Sequence, residues 1–128
     1  MKIAVIVQRF GREITGGAEL HCQYVVDHLK AAHDLDILTT SARDYLTWHN
    51  YYQPGETEEN GVRVLRFPVL KTKDQKRFDH LSYLVSFCPH TPDDEKEWLL
   101  EQGPVCPDLV NYIDSNSNNY GAFIFFSF

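Results

Sequence analysis

Two short apolar runs, KIAVIV over residues 2–7 and LDILTT over residues 35–40, flank a segment of helical periodicity, and this arrangement narrows the fold more than any other feature. Short runs rich in β-branched residues, without polar alternation, belong to strands covered on both faces, as in parallel sheets. Between them Ala18, Cys22, Val25, Val26, Leu29 and Ala32 recur at three- and four-residue spacing, which predicts an amphipathic helix from Ala18 to Ala32. Glu19, Gln23, Asp27 and Lys30 are assigned to its exposed face, with Glu19 complementing the positive end of the helix dipole. A strand, a helix and a second strand in this order require a right-handed crossover and a parallel sheet.

The remaining chain extends the pattern. Residues 41–60 read as irregular, with Tyr45, Trp48, Tyr51 and Tyr52 ahead of a Pro54-Gly55 turn. VRVLRFPV, residues 62–69, alternates apolar and basic residues and predicts a third strand nearer the sheet edge, its two arginines facing solvent. Apolar spacing predicts a helix over 74–87. A second follows Thr91, where Thr91 can cap, Pro92 suits the first helical position, acidic residues fill the first turn and Gly103 stops the helix. Pro107 opens a shorter helix to about Asp114, and AFIFFSF over 122–128 reads as a strand with side chains buried on both faces. The fold class is therefore α/β, a Rossmann-like, doubly wound parallel sheet. An apolar strand at residue 128 without a helix over it suggests a polypeptide that continues, so the chain is read as a partial domain.

Composition limits the partners. The chain has 128 residues, 43% of them hydrophobic and 23% charged, which suits one globular core. A formal net charge of −6 leaves no basic stripe for a phosphate backbone, so nucleic acid is not expected as a partner. The first apolar run is too short for a signal peptide or a membrane span, which predicts a cytoplasmic protein without a transmembrane segment and leaves peripheral membrane contact open. Cys22, Cys88 and Cys106 are odd in number and form no CxxC pair, and the six histidines show no ligand spacing, so neither a disulfide framework nor a metal site is expected.

The candidate chemistry sits in the loop after the first strand. The pair Gly16-Gly17 lets backbone N–H groups approach a ligand, and the helix that follows offers unpaired N–H groups to a phosphate. The alternative is a turn that needs glycine only for its geometry. Neither GxGxxG nor a Walker A loop is present. Arg9 and Arg12 in the same loop are candidate anion contacts or solvated charges. Trp48, Tyr51 and Tyr52 are candidate stacking surfaces or a lid over the core.

KIAVIVQRF, then GGAELHCQYVVDHLKAAHDLDILTT, and later ENGVRVLRFPV, resemble the amino-terminal signature of family 4 glycosyltransferases of the GT-B fold. There a strand leads into a GGAE turn, an amphipathic helix, a GHEV-type junction and a strand ending on Thr; here AHDLD lacks the junction glycine. The resemblance covers about residues 1 to 69 well and the remainder loosely. It implies an acceptor-side domain of an enzyme that transfers sugar from a nucleotide sugar to a saccharide or lipid-linked acceptor, without a separate cofactor. Gly16 and Gly17 would then lie near the donor diphosphate, with Arg9 and Arg12 of the same loop, which belong to no fixed family motif, as candidate anion contacts and Trp48, Tyr51 and Tyr52 as candidate acceptor contacts. The family's histidine near the fourth strand has no counterpart in AFIFFSF, and its Glu-x7-Glu donor segment belongs to a carboxyl-terminal domain that this chain lacks. The catalytic residue is therefore unassigned. A non-catalytic Rossmann-like module, a subunit needing a separate donor domain, or a flavodoxin-like regulator are the competing readings.

Overall fold

A computed structural model describes residues 1–127. The elements run β1 (Lys2–Val7), α1 (Gly17–Leu29), β2 (Asp34–Thr40), β3 (Gly55–Glu59), β4 (Val62–Phe67), α2 (Gln75–Phe87), α3 (Pro92–Gln102), α4 (Pro107–Asn116), a 3-10 turn at Ser117–Asn119, and β5 (Ala122–Phe126). They form one five-stranded sheet of order β3-β4-β2-β1-β5. Strands β4, β2, β1 and β5 are mutually parallel, and β3 joins β4 antiparallel.

The near-continuous apolar strands are explained by cover on both faces. Ile3, Val5 and Val7 of β1, Leu35 and Ile37 of β2, and Val62 and Val64 of β4 pack with Cys22 and Val26 of α1. Ala4, Leu38 and Leu65 point the other way, onto Leu109 of α4 and Tyr120. Alternate residues of each strand thus feed two separate cores, and the charged residues within the runs are paired internally, Asp36 of β2 with Arg63 and Tyr120, and Arg66 of β4 with Glu59.

Several sequence expectations are corrected. Residues 55–59 form β3, which pairs with β4 across a two-residue turn at Asn60 (φ 52°) and Gly61 (φ 76°). Both turn residues lie in the left-handed region, as a tight hairpin requires, and Asn-Gly is the pair that tolerates it. β4 lies one strand in from the β3 edge, as expected, but its arginines do not face solvent: Arg66 is buried, its guanidinium joined to Glu59 at 3.0 Å. Arg63 is half-buried and pairs with Asp36 and Glu56. Helix α1 ends at Leu29, short of Ala32, and Glu19 lies inside the protein with 1% exposure. Strand β5 stops at Phe126; its residues are half-buried apart from Phe125, which is 65% exposed because β5 is an edge strand. Ser127, expected within the strand, lies beyond it and is exposed, and the expected end at residue 128 lies outside the described residues.

Helices α2 and α3 follow their signals closely. Asp74 caps α2 by accepting from the Arg77 amide. Thr91 and Asp94 form a reciprocal capping box at the start of α3. The two helices pack mainly on one another, leaving Tyr83, Phe87 and Leu99 exposed. No helix among the described residues is long and apolar enough to cross a membrane.

Candidate functional site

In a parallel sheet the loops at the carboxyl ends of the strands collect ligands, above all where successive connections leave in opposite directions. Here that switch lies between β1 and β5, because β2 and β4 follow on one side of β1 and β5 lies on the other. A crevice of about 300 Å³ opens there, lined by Val7, Gln8, Thr40, Cys106, Leu109 and Phe126 among others. Thr40 donates its hydroxyl to the Gln8 carbonyl at 2.7 Å, which fixes the exits of β1 and β2 beside it. The Cys106 thiol, at the start of α4, donates to the Pro68 carbonyl at 3.2 Å, and burial raises its pKa. It is thereby held as a structural thiol and not as a nucleophile.

The glycine turn borders a second, wider mouth of about 430 Å³, shared by Arg9, Glu13, Gly16, Arg43 and Tyr45. Gly16 is the N-cap of α1, with φ −62° and ψ 152°, a conformation open to any residue. Its reason for being glycine is space. A β-carbon at Gly16 would overlap Glu19 Oε2 and stand 2.8 Å from Arg9 Nη2. At Gly17 a β-carbon would meet nothing within 4 Å. The two glycines therefore do different jobs: Gly16 makes room for a buried carboxylate, and Gly17 leaves the first turn of α1 open.

That carboxylate changes the role of Arg9. Arg9 Nη2 and Nε lie 2.6 and 2.8 Å from Glu19 Oε1, and Nη1 donates to the Arg43 carbonyl at 3.1 Å. The guanidinium also lies over the Tyr45 ring, 5.2 Å from its centroid. Arg9 is 8% exposed, so its charge is neutralised internally and serves to tie the β1 loop, α1 and the loop after β2 together. The expectation of Arg9 as an open anion contact is corrected accordingly. The mouth has no surplus of positive charge: Arg43 stacks on Tyr51 at 4.2 Å, and Glu13 sits opposite. Glu13 is held below the usual carboxylate range, chiefly because the Tyr52 hydroxyl donates to it.

The other expected site residues separate. Arg12 is exposed and enters no ion pair among the described residues. Trp48 is 1% exposed, donates its indole N–H to the Gln102 carbonyl at 2.7 Å, and packs with Ala42 and Val69. It is a core residue and unavailable to a ligand at the surface. Tyr51 stays exposed, and Tyr52 covers Arg66, whose guanidinium lies 4.0 Å from the ring centroid. Burial and the bond to Glu13 both push the Tyr52 hydroxyl pKa up, so it remains a donor.

Glu19 and Arg66 line this region although the pattern of each element predicts a solvent-facing charge at its position. A sequence signal did exist for Glu19, which follows Gly16 at the N3 position of the helix, where a carboxylate can turn back over the N-cap. Comparison of the chain with family profiles, with characterised proteins and with solved structures finds no match.

Proposed function

We propose that the chain forms the acceptor-side domain of a nucleotide-sugar-dependent glycosyltransferase of the GT-B type. The observation that carries the reading is the unit β1, Gly16-Gly17, α1, whose open first turn stands at the carboxyl edge of four parallel strands. That edge, next to the β1/β5 switch, is where a diphosphate could meet helix N–H groups without displacing a side chain. The motif resemblance supplies the reaction class, and the balanced charge of the mouth favours a wall for the acceptor over the main grip on the donor. In such an enzyme stabilisation of the departing nucleoside diphosphate lowers the barrier, and its cations come from the opposing domain.

The test is release of nucleoside diphosphate from a panel of UDP-, GDP- and ADP-sugars by the natural polypeptide that carries these residues, with saccharide and lipid-linked acceptors. Acceptor-dependent release is expected, and Gly17→Trp should reduce it at least tenfold while the fold persists, since Gly17 faces open space. Absence of release from every donor, or full turnover by Gly17→Trp, refutes the reading. Activity that appears only when a second, co-purifying polypeptide is present would instead identify a subunit serving a separate donor domain.

A further inference from the structure

Helices α1 and α4 each pack on a face of the sheet; α2 and α3 do not. No apolar residue of α2 or α3 belongs to the two cores that flank the sheet or to the cluster around Trp48. Within the two helices only Leu81 and Glu101 are buried. Their bonds are to each other: the Trp98 indole donates to Ser82 Oγ at 2.9 Å, and Arg77 pairs with Glu97 at 3.1 Å. Among the described residues, no hydrogen bond or ion pair runs from residues 75–101 to any residue outside 71–103. Helices of 13 and 11 residues are marginal in water without a partner, so α2 and α3 persist as a pair.

Two straps attach the pair, residues 70–74 leading into α2 and residues 102–106 leading out of α3. At the body they are pinned together. The Leu70 N–H donates to the Val105 carbonyl at 2.8 Å, and the Cys106 thiol to the Pro68 carbonyl at 3.2 Å. Further out, two consecutive residues of the loop after β2 hold one strap each. The Thr47 carbonyl accepts from the Lys73 N–H at 2.7 Å, and Trp48 donates its indole N–H to the Gln102 carbonyl at 2.7 Å. The Trp48 ring also lies so close to Gly103 that a β-carbon there would stand 3.0 Å from it. That loop is fixed to the body by Asn50, which exchanges bonds of 3.0 and 2.8 Å with Val69. Glu101, bonded to Lys71 and to the Asp74 amide, joins the straps to each other and not to the body.

Trp48 itself is strained. Its φ of 55° lies in the left-handed region, which is unfavourable for a bulky residue and persists only where the surroundings hold it. What holds it is the seat of its ring between Ala42, Val69 and Gly103. Gly103 and Pro104 in turn form one wall of the crevice at the β1/β5 switch.

We infer that α2 and α3 form an arm that opens as one unit about the Leu70–Val105 pair, with Trp48 as its latch. Opening parts Gln102 and Gly103 from Trp48, lets the Trp48 backbone relax and carries the Gly103 wall away from the crevice. Access to the switch point is thereby coupled to the latch, whatever the crevice binds.

The experiment is native-state hydrogen exchange on the ¹⁵N-labelled chain through a series of low denaturant concentrations. The amides inside α2 and α3, the Lys73 amide and the Trp48 indole N–H should share one opening, with protection about a hundredfold or more below that of β1 and β2. That opening should depend weakly on denaturant, because it exposes little apolar surface. The Leu70 amide should exchange with the sheet. Ile37→Val, a change in the sheet core, should speed exchange in β1 and β2 several-fold and leave the arm unchanged, since the open-arm state keeps that core. Trp48→Phe keeps a ring between Ala42 and Val69 but removes the indole donor, and should speed exchange of the arm about tenfold. A single opening shared by arm and sheet, an arm that Ile37→Val speeds as much as the sheet, or a Leu70 amide that exchanges with the arm overturns the inference. So does a folded Trp48→Phe whose arm exchanges as before; if that variant does not fold, the native and Ile37→Val profiles decide alone.

Discussion

Replacing Gly16 and Gly17 by alanine should produce opposite effects, although the two residues are adjacent in one turn. Both backbones suit alanine, and restricting the unfolded chain alone would stabilise either variant by about 0.4–1 kcal/mol. At Gly17 nothing opposes that gain, because no atom lies within 4 Å of the added carbon. At Gly16 the added carbon collides with Glu19 Oε2 and crowds Arg9 Nη2 at 2.8 Å, and both partners are buried. The carboxylate can retreat only by lengthening its 2.6 and 2.8 Å contacts with Arg9. Full loss of a buried pair costs about 3–5 kcal/mol, and partial retreat about half of that, so Gly16→Ala should destabilise by ~2 kcal/mol. The two variants then differ by roughly 2–3 kcal/mol. In urea, with a slope of about 1–3 kcal/mol per molar, their unfolding midpoints should separate by about 0.7–3 M. In a Glu19→Ala background, itself less stable, the added penalty of Gly16→Ala should largely vanish, since the carboxylate is gone and Arg9, no longer held by it, can move away from the added carbon. Equal midpoints for the two single variants would refute the steric account, as would a Gly16→Ala penalty that survives unchanged without Glu19.

Three further outcomes are expected. Asp36 is 1% exposed and receives Tyr120 at 2.6 Å, Arg63 at 2.9 Å and Lys2 at 3.2 Å; Asp36→Ala should cost about 3 kcal/mol by urea unfolding, softened because both cations can rehydrate, and a cost below about 1 kcal/mol would deny the network a structural role. The Glu101 carboxyl is held below its ordinary value of 4.5, first by Lys71 and then by the Asp74 amide and Arg77. The unfolded chain thus takes up protons first as pH falls: the stabilisation is complete above the unfolded value and disappears as pH drops through the lower folded one, so the acid slope of stability should flatten in Glu101→Gln. Burial and the nearby Glu19 charge push the Cys22 thiol up to about 12, and Cys22 is 0% exposed; a disulfide reagent should label it only as fast as the chain unfolds, and rapid labelling of native protein would contradict its place in the core.

The legible parts of this protein were those written by local chemistry. Apolar runs announced β1, β2 and β4; Thr91, Pro92 and Asp94 announced the start of α3; and Gly103, at φ 64°, announced its end. Such signals depend on a few neighbouring residues, so they survive without knowledge of the rest. The Asn60-Gly61 turn was equally local, but β3 carries GETEE, an edge-strand sequence with no apolar alternation to flag it. Charge partners were not legible. Glu19 and Arg9 stand ten residues apart, and Asp36 and Tyr120 stand 84 apart. Whether a charged side chain faces water or the interior depends on which distant element covers it, because burial is tolerable only when a partner arrives with that cover. The sequence by itself thus determined a parallel α/β sheet with a glycine turn at its ligand-collecting edge. Only the tertiary structure decided that the nearest arginine is already held by an internal carboxylate and that Trp48 belongs to the core, because both depend on elements far away in the sequence.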